Sequence, residues 1–267
     1  MRTQSTVAVS ADGHGWVLVN ASPDLRTQLI ESQWRPHPHS RGTPIEAILL
    51  TDADLDHTLG LFLLREDESP LFIHASTGIK EAVEQGLRLT EVLGQYCGVH
   101  WVTAPSAFEP LLCRDRAESG LEYKAVEIEG PGPRYRSGNN SHCRLFYVMR
   151  ESATGKTALL APAVGKLEAQ LVEELCHADA ILFDGTFWAN DDFDRSGVSS
   201  PAVSELLRSH LPILHGSLNT LAAQRAKHKF YVHINNTNPI LWDDSPERRL
   251  LEKMGIEVAK DGMRIEL

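Results

Sequence analysis

Residues 51–60, TDADLDHTLG, concentrate acidic and imidazole side chains in one short segment. Asp52, Asp54 and Asp56 alternate along the chain, and His57 follows directly. Carboxylates this close repel one another and raise one another's pKa unless a cation lies among them or a helix N-terminus relieves the charge. The segment is therefore either a solvated acidic turn or one wall of a site that binds a cation.

Two other segments place similar side chains after short apolar runs. AILL precedes the acidic segment, AILF precedes Asp184, and FYV precedes His233. Such runs predict buried strands, and α/β sheets commonly bind ligands at the carboxyl ends of their strands. Taken singly, Asp184 fits a turn or helix cap, and His233 fits a hydrogen-bonded histidine. Taken together, the three strand ends predict a metal site.

The predicted ligands form a recognisable set. His57 and His233 would supply imidazoles, and either Asp56 or Asp184 would supply a carboxylate. Two imidazoles and one carboxylate leave metal positions open for substrate or dioxygen, as in non-haem iron oxygenases. Asp52 is a further candidate ligand.

The remaining candidates have weaker support. Asp54 is a candidate catalytic carboxylate, although Asp52 or Asp54 could instead fix a ligand imidazole by accepting its hydrogen bond. His210 is a candidate acid, base or substrate contact, with a helix-end histidine as an equal alternative. Three asparagines are candidates for orienting His233 or for binding substrate carboxylates, or they are simply turn formers. They are Asn235, Asn236 and Asn238.

The elements that must position these residues alternate along the chain. Short runs rich in Val, Ile and Leu alternate with longer segments of helical period, which predicts an α/β or α+β layered domain. Asp12-Gly13 predicts a hairpin turn. Ser22 with Pro23 predicts one helix start, and Ser76 predicts a cap for a helix over 77–94. Neither an internal repeat nor a polar linker divides the chain, so we expect one domain over 1–267.

Composition limits the partners. The net charge of -10 argues against nucleic acid or an anionic membrane surface. No apolar run approaches the ~20 residues of a membrane span, and no signal-peptide pattern opens the sequence, so we expect a cytoplasmic protein. The four scattered cysteines predict neither a zinc knuckle nor a disulfide framework. A homo-oligomer is compatible with the sequence.

At TDADLDHTLG the chain resembles the metallo-β-lactamase superfamily signature THxHxDHxxG. Asp52 and Asp54 stand where that signature has its first two histidines, and Asp56 and His57 match the rest. Over nearly the whole chain, the sequence is similar to the pyrroloquinoline quinone (PQQ) biosynthesis protein B family. Further segments carry this similarity: NASPDLRTQL (20–29), FDGTFW (183–188), HLPI (210–213), HINNTNPIL (233–241), SPER (245–248) and DGMRIEL (261–267).

The resemblance implies a metallo-β-lactamase fold, a four-layer αββα sandwich. Members usually begin earlier, which leaves open whether the first strand is present. In the resembling family, Asp184 matches a bridging aspartate and His233 the last histidine ligand. His142 lies near the superfamily's middle histidine, but its register differs.

The resemblance also implies a function in PQQ synthesis. The expected reaction is iron- and dioxygen-dependent hydroxylation of the tyrosine in a Glu-Tyr precursor, a small peptide-derived partner. Asp52 and Asp54 in place of histidines make the site harder and more anionic, which favours Fe(II), with zinc or manganese as alternatives. The rival functions are a carrier of PQQ or its precursor, without catalysis, and a dinuclear zinc hydrolase.

Overall fold

Two β-sheets form the centre of the protein, and the apolar runs of the sequence supply most of their strands. The computed structural model describes residues 2–32, 42–136, 143–192, 197 and 206–267. The first sheet has the order β1-β2-β3-β4-β5. Its strands are β1 (Val7–Val9), β2 (Trp16–Val19), β3 (Ile45–Leu49), β4 (Leu71–Ala75) and β5 (Val99–Thr103). The predicted hairpin is confirmed, since β1 and β2 pair antiparallel, and the other neighbours are parallel.

The second sheet contains seven described strands in the order β12-β11-β10-β9-β8-β7-β6. Strands β9 to β12 pair in parallel, whereas β6 to β9 pair antiparallel. The strands are β6 (Glu109–Leu112), β7 (Glu118–Glu127), β8 (Leu145–Glu151), β9 (Thr157–Ala161), β10 (Ala180–Asp184), β11 (His228–Val232) and β12 (Glu257–Val258).

Helices connect and cover these strands. The α-helices with complete bounds are α1 (Leu25–Glu31), α2 (Leu55–Thr58), α3 (Thr77–Leu87), α4 (Leu89–Leu93), α5 (Ala169–His177), α6 (Leu218–Ala222) and α7 (Pro246–Lys253). Shorter turns are the 3₁₀ segments Leu59–Leu64 and Pro239–Leu241, the π segment Ile213–Ser217 and a helical stretch at 206–209. Within the described ranges, none of these helices is both long and apolar enough to cross a membrane.

The two faces of β8 show how the layers are joined. Leu145 and Tyr147 belong to the core that includes the first sheet, whereas Phe146 and Val148 pack in a second core with α5. Successive side chains of a strand point to opposite faces, so one strand serves both cores. The first core also contains Ile79 of α3. Helices therefore cover both outer faces, and the expected αββα sandwich is confirmed.

Several local predictions need correction. The first helix begins at Leu25, two residues after Pro23, and the Ser22 carbonyl accepts a turn hydrogen bond from Leu25. Ser76 does cap α3, but Arg88 adopts a left-handed φ of 52° and separates α3 from α4. Strands β5 and β6 were not predicted, because β5 is half-exposed and β6 contains a proline, which weakens the strand signal.

Further histidines of the chain lie away from the predicted ligands or outside the described residues. His74 lies in the core, where its Nδ1 is 2.6 Å from the Tyr123 hydroxyl. His37, His39 and His142 lie outside the described residues.

Candidate metal centre

Three strand ends meet at one edge of the sandwich, as the sequence predicts. Strands β10 and β11 are parallel neighbours, so Asp184 and His233 emerge side by side. Helix α2, which follows β3, brings Asp56 and His57 to them from the first sheet, and Asp56 Oδ2 lies 3.1 Å from His233 Nε2. Side chains separated by 177 positions are thus in direct contact.

Helix α2, which carries Asp56 and His57, is fixed by backbone contacts with the chain that follows β2. Ala21 N–H donates to the His57 carbonyl at 2.8 Å, and Gly60 N–H donates to the Ala21 carbonyl at 2.9 Å. A Cβ at Gly60 would lie 2.3 Å from the Ser22 carbonyl oxygen. Only glycine permits this close approach, which explains the last position of the TDADLDHTLG segment.

Asp56, His57 and His233 form the first candidate ligand group. One ligand atom from each lies within 4.8 Å of the others. His57 Nε2 is buried and has no hydrogen-bond partner among the described residues. An unsatisfied buried nitrogen is costly, and a metal ion would satisfy it. The group therefore fits a mononuclear site with two imidazoles and one carboxylate.

Asp52 orients His57 from behind. His57 Nδ1 lies 2.8 Å from the Asp52 carboxylate, which also accepts from Asp54 N–H at 3.0 Å and from the Thr51 hydroxyl at 2.9 Å. Burial opposes ionisation, but His57 and the other partners outweigh it, and the pKa of Asp52 falls well below its usual range. An ionised Asp52 fixes the proton on His57 Nδ1 and directs Nε2 toward the site.

Thr186 orients His233 as Asp52 orients His57. Its hydroxyl lies 2.6 Å from Asp184 Oδ1 and 2.8 Å from His233 Nδ1. If it donates to the carboxylate, it accepts from Nδ1, which leaves His233 Nε2 facing Asp56. His233 has a left-handed φ of 53°, a strained conformation that often marks functional residues.

The charges around His233 also matter. Burial lowers the pKa of His233, but the carboxylates of Asp184 and Asp56 outweigh it and raise this pKa to about 10. The metal-free imidazole is therefore protonated at neutral pH, and a metal ion would have to displace that proton.

Asp184, His210 and His233 form a second group, with ligand atoms also within 4.8 Å. Both Asp184 oxygens already accept hydrogen bonds, from Val164 N–H, from Thr186 N–H and hydroxyl, and from His210 Nδ1 at 2.7 Å. Burial opposes its ionisation, but His210 and its other partners hold the pKa of Asp184 below its usual range. The Asp184 carboxylate thus fixes the orientation of His210, whereas the Asp56 carboxylate is more accessible to a ligand.

Asp54 lies on the other side of Asp52 and contacts Arg144, a residue that sequence reasoning missed. Arg144 Nη2 lies 3.0 Å from Asp54 Oδ2, and Nη1 lies 4.0 Å from Asp52 Oδ2. The sequence indicates this contact only indirectly, because two neighbouring carboxylates require a positive charge nearby. Thr186 was also missed, although its segment FDGTFW was noted.

The three candidate asparagines have different surroundings. Asn235 and Asn236 line the groove in front of the site. Asn238 is buried instead, where its Oδ1 accepts from Ile240 N–H and its Nδ2 donates to the Gly185 carbonyl. Asn238 therefore braces the turn after β11, and the other two are better placed to contact a ligand.

An open groove of about 2060 Å³ extends from these residues between the sheets. Asp56, His210 and His233 line one part, and Tyr135 and Arg144 lie beside them. Residues 2–11 and 259–267 line the far part. The groove gives the candidate ligands access to solvent and to a ligand larger than a single amino acid.

Comparison with known proteins identifies the relatives of this arrangement. A family model described as a beta-lactamase superfamily domain matches residues 15–234. Coenzyme PQQ synthesis protein B from Methylococcus capsulatus is 38% identical over 280 residues, spanning 100% of this chain and 88% of that protein. The corresponding protein from Cupriavidus necator is 36% identical over 279 residues, with the same two coverages.

A solved structure shows the same fold. The crystal structure of zinc-bound PqqB from Methylobacterium extorquens matches with a TM-score of 0.86 and 32% identity, covering 100% of this chain and 88% of that one. The expected metallo-β-lactamase fold is therefore confirmed. Because that relative was crystallised with zinc bound, metal binding by a similar protein is established.

Proposed function

The chain belongs to the coenzyme PQQ synthesis protein B family, and we propose that it acts in the synthesis of coenzyme PQQ as a metal-dependent oxygenase. The proposed reaction is hydroxylation of the tyrosine ring in a Glu-Tyr precursor. It consumes dioxygen: one oxygen atom enters the ring, and a two-electron reductant converts the other to water. Fe(II) is the proposed metal, with zinc and manganese as alternatives.

One observation carries this proposal. Asp56, His57 and His233 converge from two sheets, and His57 Nε2 is buried without a partner among the described residues. This set matches the two-histidine, one-carboxylate pattern of non-haem iron oxygenases. Bound iron(II) would supply the activation of dioxygen.

The chain's own residues divide the remaining tasks. Asp52 and Thr186 would keep the two imidazoles in the tautomer with Nε2 free, which metal ligation requires. His210, whose Nδ1 is paired with Asp184, lines the groove and would exchange a proton with the precursor's phenol. Asn235 and Asn236 would donate amide hydrogen bonds to carboxylates of the precursor.

The carrier function is a second candidate, supported by the size of the groove. Its volume of about 2060 Å³ exceeds the roughly 300–1,000 Å³ of typical small-molecule pockets. A carrier would bind the precursor or PQQ equally well with and without metal. A dinuclear zinc hydrolase is less favoured, because Arg144 contacts the two aspartates that replace imidazoles of the signature.

The test is an anaerobic reconstitution with Fe(II), Zn(II) or Mn(II), followed by Glu-Tyr, ascorbate and dioxygen. Mass spectrometry is expected to detect a product heavier by one oxygen atom only with Fe(II). The His233→Ala variant is expected to make none. The matched control is His177→Ala, at an exposed histidine of α5, which is expected to behave like the wild type.

Each other outcome has a defined meaning. Equal product from metal-free protein or from His233→Ala would refute the oxygenase. Precursor binding that is the same with and without metal, and that gives no product, would support the carrier function. Cleavage of the dipeptide under zinc would support the hydrolase.

A further inference from the structure

Two neighbouring carboxylates lie directly behind the proposed metal ligands. The side chain of Asp52 is 2% exposed and that of Asp54 is 30% exposed. They occupy the two positions where the superfamily signature carries metal-binding histidines. Holding a buried anion beside a second, partly buried anion is costly unless a cation compensates the pair. The structure must therefore place positive charge beside this pair.

Arg144 supplies that charge from the second sheet. Its side chain is 2% exposed, its Nη2 donates to Asp54 at 3.0 Å, and its Nη1 lies 4.0 Å from Asp52. Nη1 is buried and has no hydrogen-bond partner within the described part of the chain. The guanidinium is thus held against both carboxylates by charge and packing.

Hydrogen bonding and close packing fix the position of the Arg144 side chain. Its Nε donates to the Pro131 carbonyl at 3.0 Å, and a Cβ at Gly130 would lie 2.2 Å from the Arg144 Cδ. The next residue, Leu145, donates its N–H to the Thr51 carbonyl at 2.7 Å, beside Asp52. The close packing against Gly130 leaves the side chain no room to swing that way. The guanidinium is therefore held in a fixed position beside Asp52 and Asp54.

We propose that the Arg144 guanidinium takes the place of a second metal ion and limits this centre to one. A divalent cation between Asp52 and Asp54 would meet a fixed positive charge a few ångströms away, in a buried region where charge repulsion is strong. Removing that charge while keeping both carboxylates would create a second cation site. The proposal rests on the proposed metal centre, but not on iron or on hydroxylation.

The experiment counts metal ions. The wild type and the Arg144→Gln variant are incubated with excess Zn(II), desalted and analysed by inductively coupled plasma mass spectrometry. The expected result is one zinc per chain for the wild type and two for Arg144→Gln. Arg144→Lys keeps the charge and is expected to bind one. Arg150→Gln, at a partly exposed arginine paired with Glu122, is the matched control and is also expected to bind one.

A double variant locates the additional ion. Adding Asp54→Asn to Arg144→Gln is expected to return the count to one. A folded Arg144→Gln protein that still binds one zinc would overturn the proposal, as would two zinc ions in the wild type. If Arg144→Gln does not fold, Arg144→Met, which also removes the charge but keeps a long side chain against Gly130, is counted in its place with the same expected result of two zinc ions. A wild type that binds no metal would instead refute the metal centre itself.

Discussion

Asp52→Asn is the substitution that most sharply separates a metal ligand from a residue that orients one. Asp52 contacts His57 Nδ1 at 2.8 Å, and Asp52 is not in either group of converging ligand atoms found among the described residues. Asparagine has nearly the same shape and can still accept the His57 hydrogen bond, but it carries no charge. The substitution therefore removes the charge while it keeps an acceptor for His57 Nδ1.

The expected loss follows from two opposing effects. Removing a carboxylate behind a ligand histidine typically weakens metal binding about 10- to 100-fold, or about 1.4 to 2.7 kcal/mol. Burial lowers the pKa of His57, but Asp52 and Asp56 outweigh it and raise this pKa. Without the Asp52 charge, His57 loses its proton more easily, which offsets part of the loss. We therefore expect the dissociation constant for the metal to rise about tenfold, which is the lower end of this range.

Isothermal titration calorimetry with Zn(II) measures both the dissociation constant and the number of ions bound. Asp54→Asn is the matched control, because the Asp54 side chain bonds Arg144, and its metal affinity is expected to change less. An unchanged affinity in Asp52→Asn would refute the orienting role. Loss of a whole equivalent of metal would instead make Asp52 a ligand.

Three further predictions concern the contacts around the site. Because the pKa of His233 is raised to about 10 and that of His57 is raised as well, metal binding should release at least one proton, and affinity should rise at least about tenfold per pH unit from roughly pH 6 to 8. Calorimetry in buffers of different ionisation enthalpy checks this, and a flat profile contradicts it. Thr186→Val removes the hydroxyl between Asp184 and His233 and should cost about 1 to 3 kcal/mol of unfolding free energy, measured by urea denaturation, with Thr220→Val as control. Gly60→Ala places a Cβ against the Ser22 carbonyl and should lower stability by about 1 to 3 kcal/mol or more; an unchanged midpoint would contradict the close approach.

Much of the fold could be predicted because its strands are apolar runs of clear length. β3, β10 and β11 are buried along most of their length, so their signals are strong in the sequence. β5 carries exposed and half-buried side chains, and its pairing with β4 comes from tertiary structure rather than from local preference. The interruption between α3 and α4 at Arg88 could not be predicted either, because no sequence pattern indicates an arginine with a left-handed backbone conformation.

The candidate site was partly predictable for a similar reason. Asp56, His57, Asp184 and His233 lie at or just after strand ends, and α/β sheets commonly bind ligands at the carboxyl ends of their strands. The sequence left open whether Asp52 was a ligand or an orienting group, because this depends on whether its carboxylate faces the site or the back of His57. The contribution of Arg144 depends on a contact between residues 90 positions apart, which no local pattern records.

The central claim is that Asp56, His57 and His233 hold a single metal ion. Anomalous diffraction from crystals soaked in Mn(II) tests it most directly, because the ion itself is located. The expected result is one peak in bonding contact with His57 Nε2, His233 Nε2 and an Asp56 oxygen. A peak between Asp52 and Asp54, or a single peak bound by Asp184 and His210 without His57, would contradict the claim.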